Sequence, residues 1–200
     1  MRLKLRSGAQ TGKLAAALAQ LLVQDPLFCL YCPDPGRRQK FARAYFLYYL
    51  RRWSRLSRAY ISADRTALAA LTPRAALARL PHGIGALRLR LAAPGGLQRL
   101  CAHHAEIAKL MEVVLPAGAP VYNLRIFAPP GSPAAVSVVQ EAVGYARLKK
   151  LALTYETMSD RFVGDFLQNG FRLGYRHPVA GSAAMQTLLF ADFSGTAGGK

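Results

Sequence analysis

One stretch constrains this chain more than any other. Across residues 121–171 the apolar pattern runs through a two-residue period, a helical period, and then both again. Tyr122, Leu124 and Ile126 alternate with Asn123, Arg125 and Phe127, as in a strand with two different faces. After a short turn, Ala135, Val138, Val139, Ala142, Val143 and Ala146 make one helical stripe, with Gln140, Glu141 and Arg147 turned away. Residues 151–157 predict a second strand. Because a helix joins the two strands, parallel pairing with a right-handed crossover is expected. Ser159 is placed to cap a second helix with Phe162, Val163, Phe166 and Leu167 as its buried stripe, and Asn169-Gly170 supplies a left-handed stop. Between the first strand and the first helix, residues 129–135 bring backbone amides to a helix N-terminus, where an anion such as a pyrophosphate is stabilised.

The rest of the chain is read around that unit. Two hundred residues, 52% of them apolar, suit a single domain over residues 1–193, with a Gly/Ser/Thr-containing tail at 194–200 that has nothing to bury and is expected to be disordered. Residues 1–100 hold eighteen basic and three acidic side chains, a net of +15, whereas residues 101–200 carry only +2 of the total +17. That asymmetry suggests an acidic partner for the first half, or a solvated basic surface. Three cysteines, an odd number, fit a reducing cytoplasm better than a disulfide framework. No apolar run is long enough to span a bilayer, and no membrane partner is expected. Arg2, Lys4, Arg6 and Lys13 ahead of the apolar run at 14–23 have the order of a targeting segment, but Leu14, Leu18, Leu21 and Leu22 keep helical spacing. An edge strand at 1–6 and a first helix at 11–24 are the preferred reading.

Asp25-Pro26 ends that helix, and a turn at residues 33–36 leads to the longest helix, 37–57. Ala42, Phe46, Tyr49, Leu50 and Trp53 share one side of it, while Arg37, Lys40, Arg51, Arg55 and Arg58 form a basic stripe on the other. Since the aromatics lie where the core belongs, base stacking is not expected and nucleic acid is a minor alternative. Residues 58–62 and 66–72 predict a hairpin turning at Ala63-Asp64-Arg65. Helical segments at 74–80, 84–91 and 97–115 follow, making a lid or wall, and residues 171–176 and 184–190 predict a final antiparallel hairpin.

The run Glu156-Thr157-Met158-Ser159-Asp160-Arg161-Phe162-Val163-Gly164-Asp165-Phe166-Leu167-Gln168-Asn169-Gly170-Phe171 resembles the second half of GNAT-superfamily N-acetyltransferases, in which a pattern close to L-E-T-S-x-x-N-x-x-F-Y-x-x-x-G-F is common. The resemblance extends weakly upstream through Asp25-Pro26-Leu27-Phe28 and Pro33-Asp34-Pro35. It implies an α/β (α+β) fold, a mixed and largely antiparallel sheet splayed at its centre, with helices on both faces and an insertion at about 74–115. It also implies acetyl-coenzyme A as co-substrate and an amine as acceptor, which the basic stripe would bias toward acidic compounds. Ile126, Phe127, Ala128, Gly131, Ser132, Ala134 and Ala135 fall where that family binds the co-substrate, with an oxyanion donor among the amides of 126–128.

The residues depart from that pattern at two points. The family's loop is usually Q/R-x-x-G-x-G/A, since glycines let amides approach the pyrophosphate. Here Gly131 stands alone, Pro133 has no amide hydrogen, and Ser132 is placed to cap the helix itself. The tyrosine that protonates the departing thiolate in that family aligns with Phe166, and the usual asparagine with Phe162. Tyr122 and Tyr155 are then the nearest leaving-group acids by sequence, and Glu156 is the candidate base. His103 and His104 are further base candidates, against a plainer reading as solvent-facing helix residues. Cys29, Cys32, Cys101 and His103 offer a weak zinc constellation, and no metal is expected. Two functions follow: acetyl transfer to an amine, or a binding or regulatory module for an acidic partner or nucleic acid on a scaffold that has lost catalysis.

Overall fold

A computed structural model describes residues 2–3, 8–56, 58–77, 81–114, 120–129, 131–178 and 185–195. Helices α1 (Gly8–Leu21), α2 (Pro26–Tyr31) and α3 (Pro35–Leu56) lead into strands β1 (Arg58–Ile61) and β2 (Leu68–Pro73). Then come α4 (Arg74–Leu77), α5 (Gly83–Ala92), α6 (Gly96–Val114), β3 (Val121–Phe127), α7 (Pro133–Leu148), β4 (Ala152–Thr157), α8 (Asp160–Gln168), β5 (Arg172–Pro178) and β6 (Met185–Asp192). The strands form one sheet in the order β1-β2-β3-β4-β6-β5. Every neighbouring pair is antiparallel except β3 and β4, which are parallel, as a helical crossover through α7 allows.

Strand alternation divides the interior in two. Phe127 joins Phe28, Phe41, Tyr45 and Phe46 in a core beneath α1, α2, α3 and α5. Leu124 and Tyr155 join Val138, Ala142, Phe162 and Phe166 in a second core beneath α7 and α8. Helices therefore cover both faces of a mixed α+β sheet.

The sheet parts at its centre. Pairing of β3 with β4 runs from Val121↔Ala152 to Leu124↔Tyr155 and stops, although both strands continue. On their outer sides pairing persists to the ends, Leu68↔Phe127 with β2 and Thr157↔Thr187 with β6. The two halves of the sheet are thus held from outside while their C-terminal ends diverge.

Several local expectations change. Asp25 does more than end a helix: its carboxylate accepts the Leu27 N–H at 2.9 Å and caps α2. Ser159 occupies the N-cap position of α8 without a side-chain cap bond, and its own amide donates to Thr157 Oγ1 at 3.1 Å. Leu167 is 45% exposed, while Phe162, Val163 and Phe166 are buried as expected. Gly170, at φ +85°, provides the left-handed stop. In α3, Ala42, Phe46, Tyr49 and Leu50 are buried, and Arg37, Lys40, Arg43 and Arg51 are exposed. The side chains of Trp53 and Arg55 lie outside the described residues, as do most of the expected edge strand, the turn at 179–184 and residues 196–200 of the tail. Arg2 bridges Tyr60, and the Leu3 amide donates to the Ala59 carbonyl at 2.7 Å.

Helix α5 seats on α3 through Gly85, where a side chain would run into the Tyr48 ring. Replacing Gly85 with Val should force that ring aside and destabilise the fold by about 1–3 kcal/mol, as overpacking does. Thermal melting checks this, with an unchanged midpoint as the contrary result.

Candidate functional site

The gap opened by the parting strands is a cleft of roughly 300 Å³. Arg125, Ile126 and Phe127 of β3 line it together with Ala128 and Pro129 just after, and Tyr155, Glu156 and Thr157 of β4 with Met158 and Ser159 just after. The joint between α1 and α2, including Gln24, Asp25 and Leu27, closes the third side. Beyond Leu124 those backbone amides of β3 that point toward β4 meet the cleft instead of a strand, since pairing has ended. This is where an oxyanion donor among residues 126–128 was expected.

Two neighbouring histidines of α6 occupy the point of divergence, one serving each strand. His103 Nε2 lies 2.5 Å from Glu156 Oε1 on β4, and its Nδ1 lies 2.5 Å from the Tyr31 hydroxyl. Gln186 Nε2 of β6 donates to the same Glu156 oxygen at 2.6 Å. Both of these bonds fall on Oε1, which leaves Oε2 of a cleft-lining carboxylate for a substrate. His104 serves β3: its Nε2 accepts from Arg125 Nη2 at 2.8 Å. A guanidinium can only donate, so His104 is neutral with its proton on Nδ1, 3.5 Å from the Tyr49 hydroxyl. Arg125 is completed by Nη1 to the Tyr45 hydroxyl at 2.8 Å and Nε to Asn123 Oδ1 at 3.3 Å.

The electrostatics push the acidic groups of the cleft apart. Burial alone would raise Glu156, but the charge and hydrogen bond of His103, with Arg125 and Gln186, outweigh it and hold this carboxyl below its usual value. Asp25 is driven the other way. Burial, opposed by the Leu27 amide and assisted by Glu156, pushes its carboxyl up to about 6. Burial, and then the charge of Arg125, push the His104 imidazole well below its usual range, in agreement with its bonding.

At the cleft's outer end, Ser132 caps α7 as expected, its hydroxyl accepting the Ala135 N–H at 3.1 Å. The Ser132 amide is also used, donating to the Pro129 carbonyl at 3.2 Å. Among the described residues the Gly131 and Ala134 amides have no partner. Gly131 takes φ +71°, which disfavours any side chain, and the Arg161 guanidinium of α8 lies directly against its face, so that a side chain there would also push the guanidinium away. A cation thus stands over the loop. Behind it, a second hollow of about 410 Å³ lies between α7 and α8, and the two share Phe162.

The residues singled out from sequence are distributed unevenly over this geometry. Glu156, Ile126, Phe127 and Ala128 line the cleft, with Gly131 and Ser132 in the loop beyond and Ala134 and Ala135 in the first turn of α7. Tyr155 also borders the cleft, but its ring packs on Phe166 at 4.2 Å and burial pushes its phenol far above the usual range, which unsuits it as an acid. Tyr122 sits at the start of β3, paired with Pro73 and Leu153, away from the cleft. Phe166 is a core residue. His103 and His104 are buried, 5% exposed each, rather than facing solvent. Among the described residues, the basic stripe of α3 contributes none to the cleft lining. Cys29 and Cys32 turn to different carbonyls, Gln24 and Asp34, and no metal-binding group of three or more His, Cys, Asp or Glu occurs among the described residues. Sequence reasoning missed Tyr31, Gln186, Asp25 and Arg161. Of these, only Asp25, a helix-capping residue type before Pro26, carried a local signal.

Neither a protein-family model nor a curated protein sequence matches this chain.

The raised carboxyl of Asp25 has a direct thermodynamic consequence. The folded state holds this proton at a pH where the unfolded chain releases it, so stability falls as pH rises from about 4 to about 6 and stays lower above. Asp25→Asn keeps a capping oxygen and removes the charge. The side chain is only partly buried, so the variant should be about 1–2 kcal/mol more stable than the wild type at pH 7 and indistinguishable below pH of about 4. Denaturant titrations at the two pH values check the difference.

Proposed function

We propose that the cleft transfers an acetyl group from acetyl-coenzyme A to an amine, the reaction of the GNAT superfamily that the run at 156–171 resembles. The observation that carries this reading is the parted parallel pair, with an ionised Glu156 on one wall and strand amides without a strand partner on the other. The sheet as a whole supports it as well: it is antiparallel except at the β3–β4 pair and parts there, as in the mixed, centrally splayed sheet that the resemblance implies.

The co-substrate supplies an activated acyl carbon. For its pyrophosphate the chain offers the Gly131 and Ala134 amides, the α7 N-terminus and the Arg161 guanidinium, which takes the place of amides that Ser132 and Pro133 withhold. The hollow between α7 and α8 lies next to that loop and fits the remainder. Within the cleft, amides of residues 126–128 face the carbonyl oxygen on which charge develops. The amine nitrogen bonds to the acyl carbon as the C–S bond breaks, and Glu156 Oε2 takes the amine proton while His103 and Gln186 hold Oε1. Asp25 faces the same cleft with its carboxyl near 6 and gives its proton to the leaving thiolate, the role for which Phe166 has no proton. Solvent then restores both carboxyls.

The competing reading, a binding module without catalysis, rests on the Ser132 cap and on Phe166. Calorimetric titration with acetyl-coenzyme A separates the two: binding in the micromolar range is expected, and no heat at high micromolar ligand would reject the transferase. Arg161→Ala should weaken binding about tenfold. Ser132→Gly, which frees the Ala135 amide, should tighten it. Glu156→Gln should leave binding intact and lower turnover of an amine acceptor about a hundredfold. In kcat, a titration near pH 6 should vanish in Asp25→Asn.

A further inference from the structure

The cleft and its loop leave the most unusual surface of the molecule unused. Helix α5 buries Leu89 and Ala92 and presents Gly85 to Tyr48, yet its opposite side is not polar. Ile84, Leu87 and Leu91 are 70%, 54% and 68% exposed, and their spacing puts them on one outward ridge. Arg88 and Arg90, both exposed, fall on the two flanks of that ridge by helical geometry. Charge in the sequence on either side of the helix is of one sign: residues 65–105 contain six arginines and no Asp or Glu. The helix it packs on, α3, exposes Arg37, Lys40, Arg43 and Arg51.

The occupant of this ridge must accept aliphatic side chains at the crest and cations at the sides. A second copy of the chain does not, because a two-fold contact would set the same arginines against each other with no acid on the element. Nucleic acid would meet the crest first, and aliphatic side chains give bases nothing to stack on. A bilayer with anionic headgroups does both: acyl chains take the crest, and flanking arginines reach outward to phosphates with their stems lying along the apolar zone. No helix among the described residues is long and apolar enough to cross a membrane, so the contact is peripheral.

We propose that α5 docks the protein on an anionic lipid surface, with Ile84, Leu87 and Leu91 entering the interface and Arg88 and Arg90 engaging headgroup phosphates. The full chain should sediment with vesicles of phosphatidylcholine containing about a third phosphatidylserine, should sediment far less with phosphatidylcholine alone, and should be released by salt. The triple variant Ile84→Gln, Leu87→Gln, Leu91→Gln and the double variant Arg88→Glu, Arg90→Glu should each bind at least about tenfold more weakly, with wild-type circular dichroism. Leu91→Trp reads insertion directly, through a blue shift of the new fluorescence on anionic vesicles. No sedimentation with those vesicles overturns the proposal, and so does sedimentation that the triple variant retains. Concentration-dependent self-association without vesicle binding would assign the ridge to a second copy. Binding to polyglutamate but not to vesicles would assign it to an acidic protein. Either result overturns the lipid assignment.

Discussion

The arrangement depends on one pair of adjacent side chains. His103 and His104 stand where β3 and β4 cease to pair, and each holds the side chain that one strand turns toward α6: His103 the Glu156 carboxylate and His104 the Arg125 guanidinium. Arg125 is a buried cation whose direct partners are all neutral: an imidazole, a phenol and an amide. A buried charge is costly unless its hydrogen bonds are made. Here the set is complete only if His104 stays unprotonated, which burial enforces first and the charge of Arg125 reinforces. The second charge, on Glu156, sits across the same gap and is held by the other histidine. Helix α6 thus acts as a wedge whose polar tip carries one acceptor for the arginine and one donor for the carboxylate.

That wedge also explains why the site has its chemical character. A carboxylate held low by donors and a second carboxyl raised by burial share one cleft, the separation on which the proposed base and acid roles rest. Each is fixed by a different part of the fold. Glu156 is set by α6 and β6, whereas Asp25 is set by its own turn, where capping α2 requires the carboxyl to face inward. The chemistry therefore needs no unusual residue, only the convergence of three distant segments.

Much of this fold was legible in the sequence, because the elements of residues 121–171 are local: alternation marks β3, spacing marks α7, and Asn169-Gly170 marks the end of α8. The loop at Ser132 was legible for the same reason, as a cap is a relation between near neighbours. The site was legible only where it coincides with that local grammar, at Glu156 and residues 126–128. Tyr31, His103 and Gln186 come from α2, α6 and β6, and their contacts span more than seventy positions in two cases. No periodicity reports such a contact. His103 and His104 illustrate this well: the sequence offers them as base candidates or as solvent-facing helix residues, and their burial is secured by partners supplied from elsewhere. Leu167 and Ser159 failed more simply, since α8 is short and turns only three residues firmly inward.

The strand order carries a consequence for how the molecule is made. β6 lies between β4 and β5, although it is the later of the two hairpin strands in the chain. During synthesis β4 emerges with one edge bare, and β5 has no seat in the sheet until β6 arrives between them. The carboxylate of Glu156 likewise waits for Gln186. A nascent chain halted near residue 180 would lack Leu189 and Ala191 of the second core and present an open strand edge beside the cleft, the kind of edge that recruits other chains. Completion of the Glu156 hydrogen-bond set and closure of the β4 edge therefore depend on the same late strand.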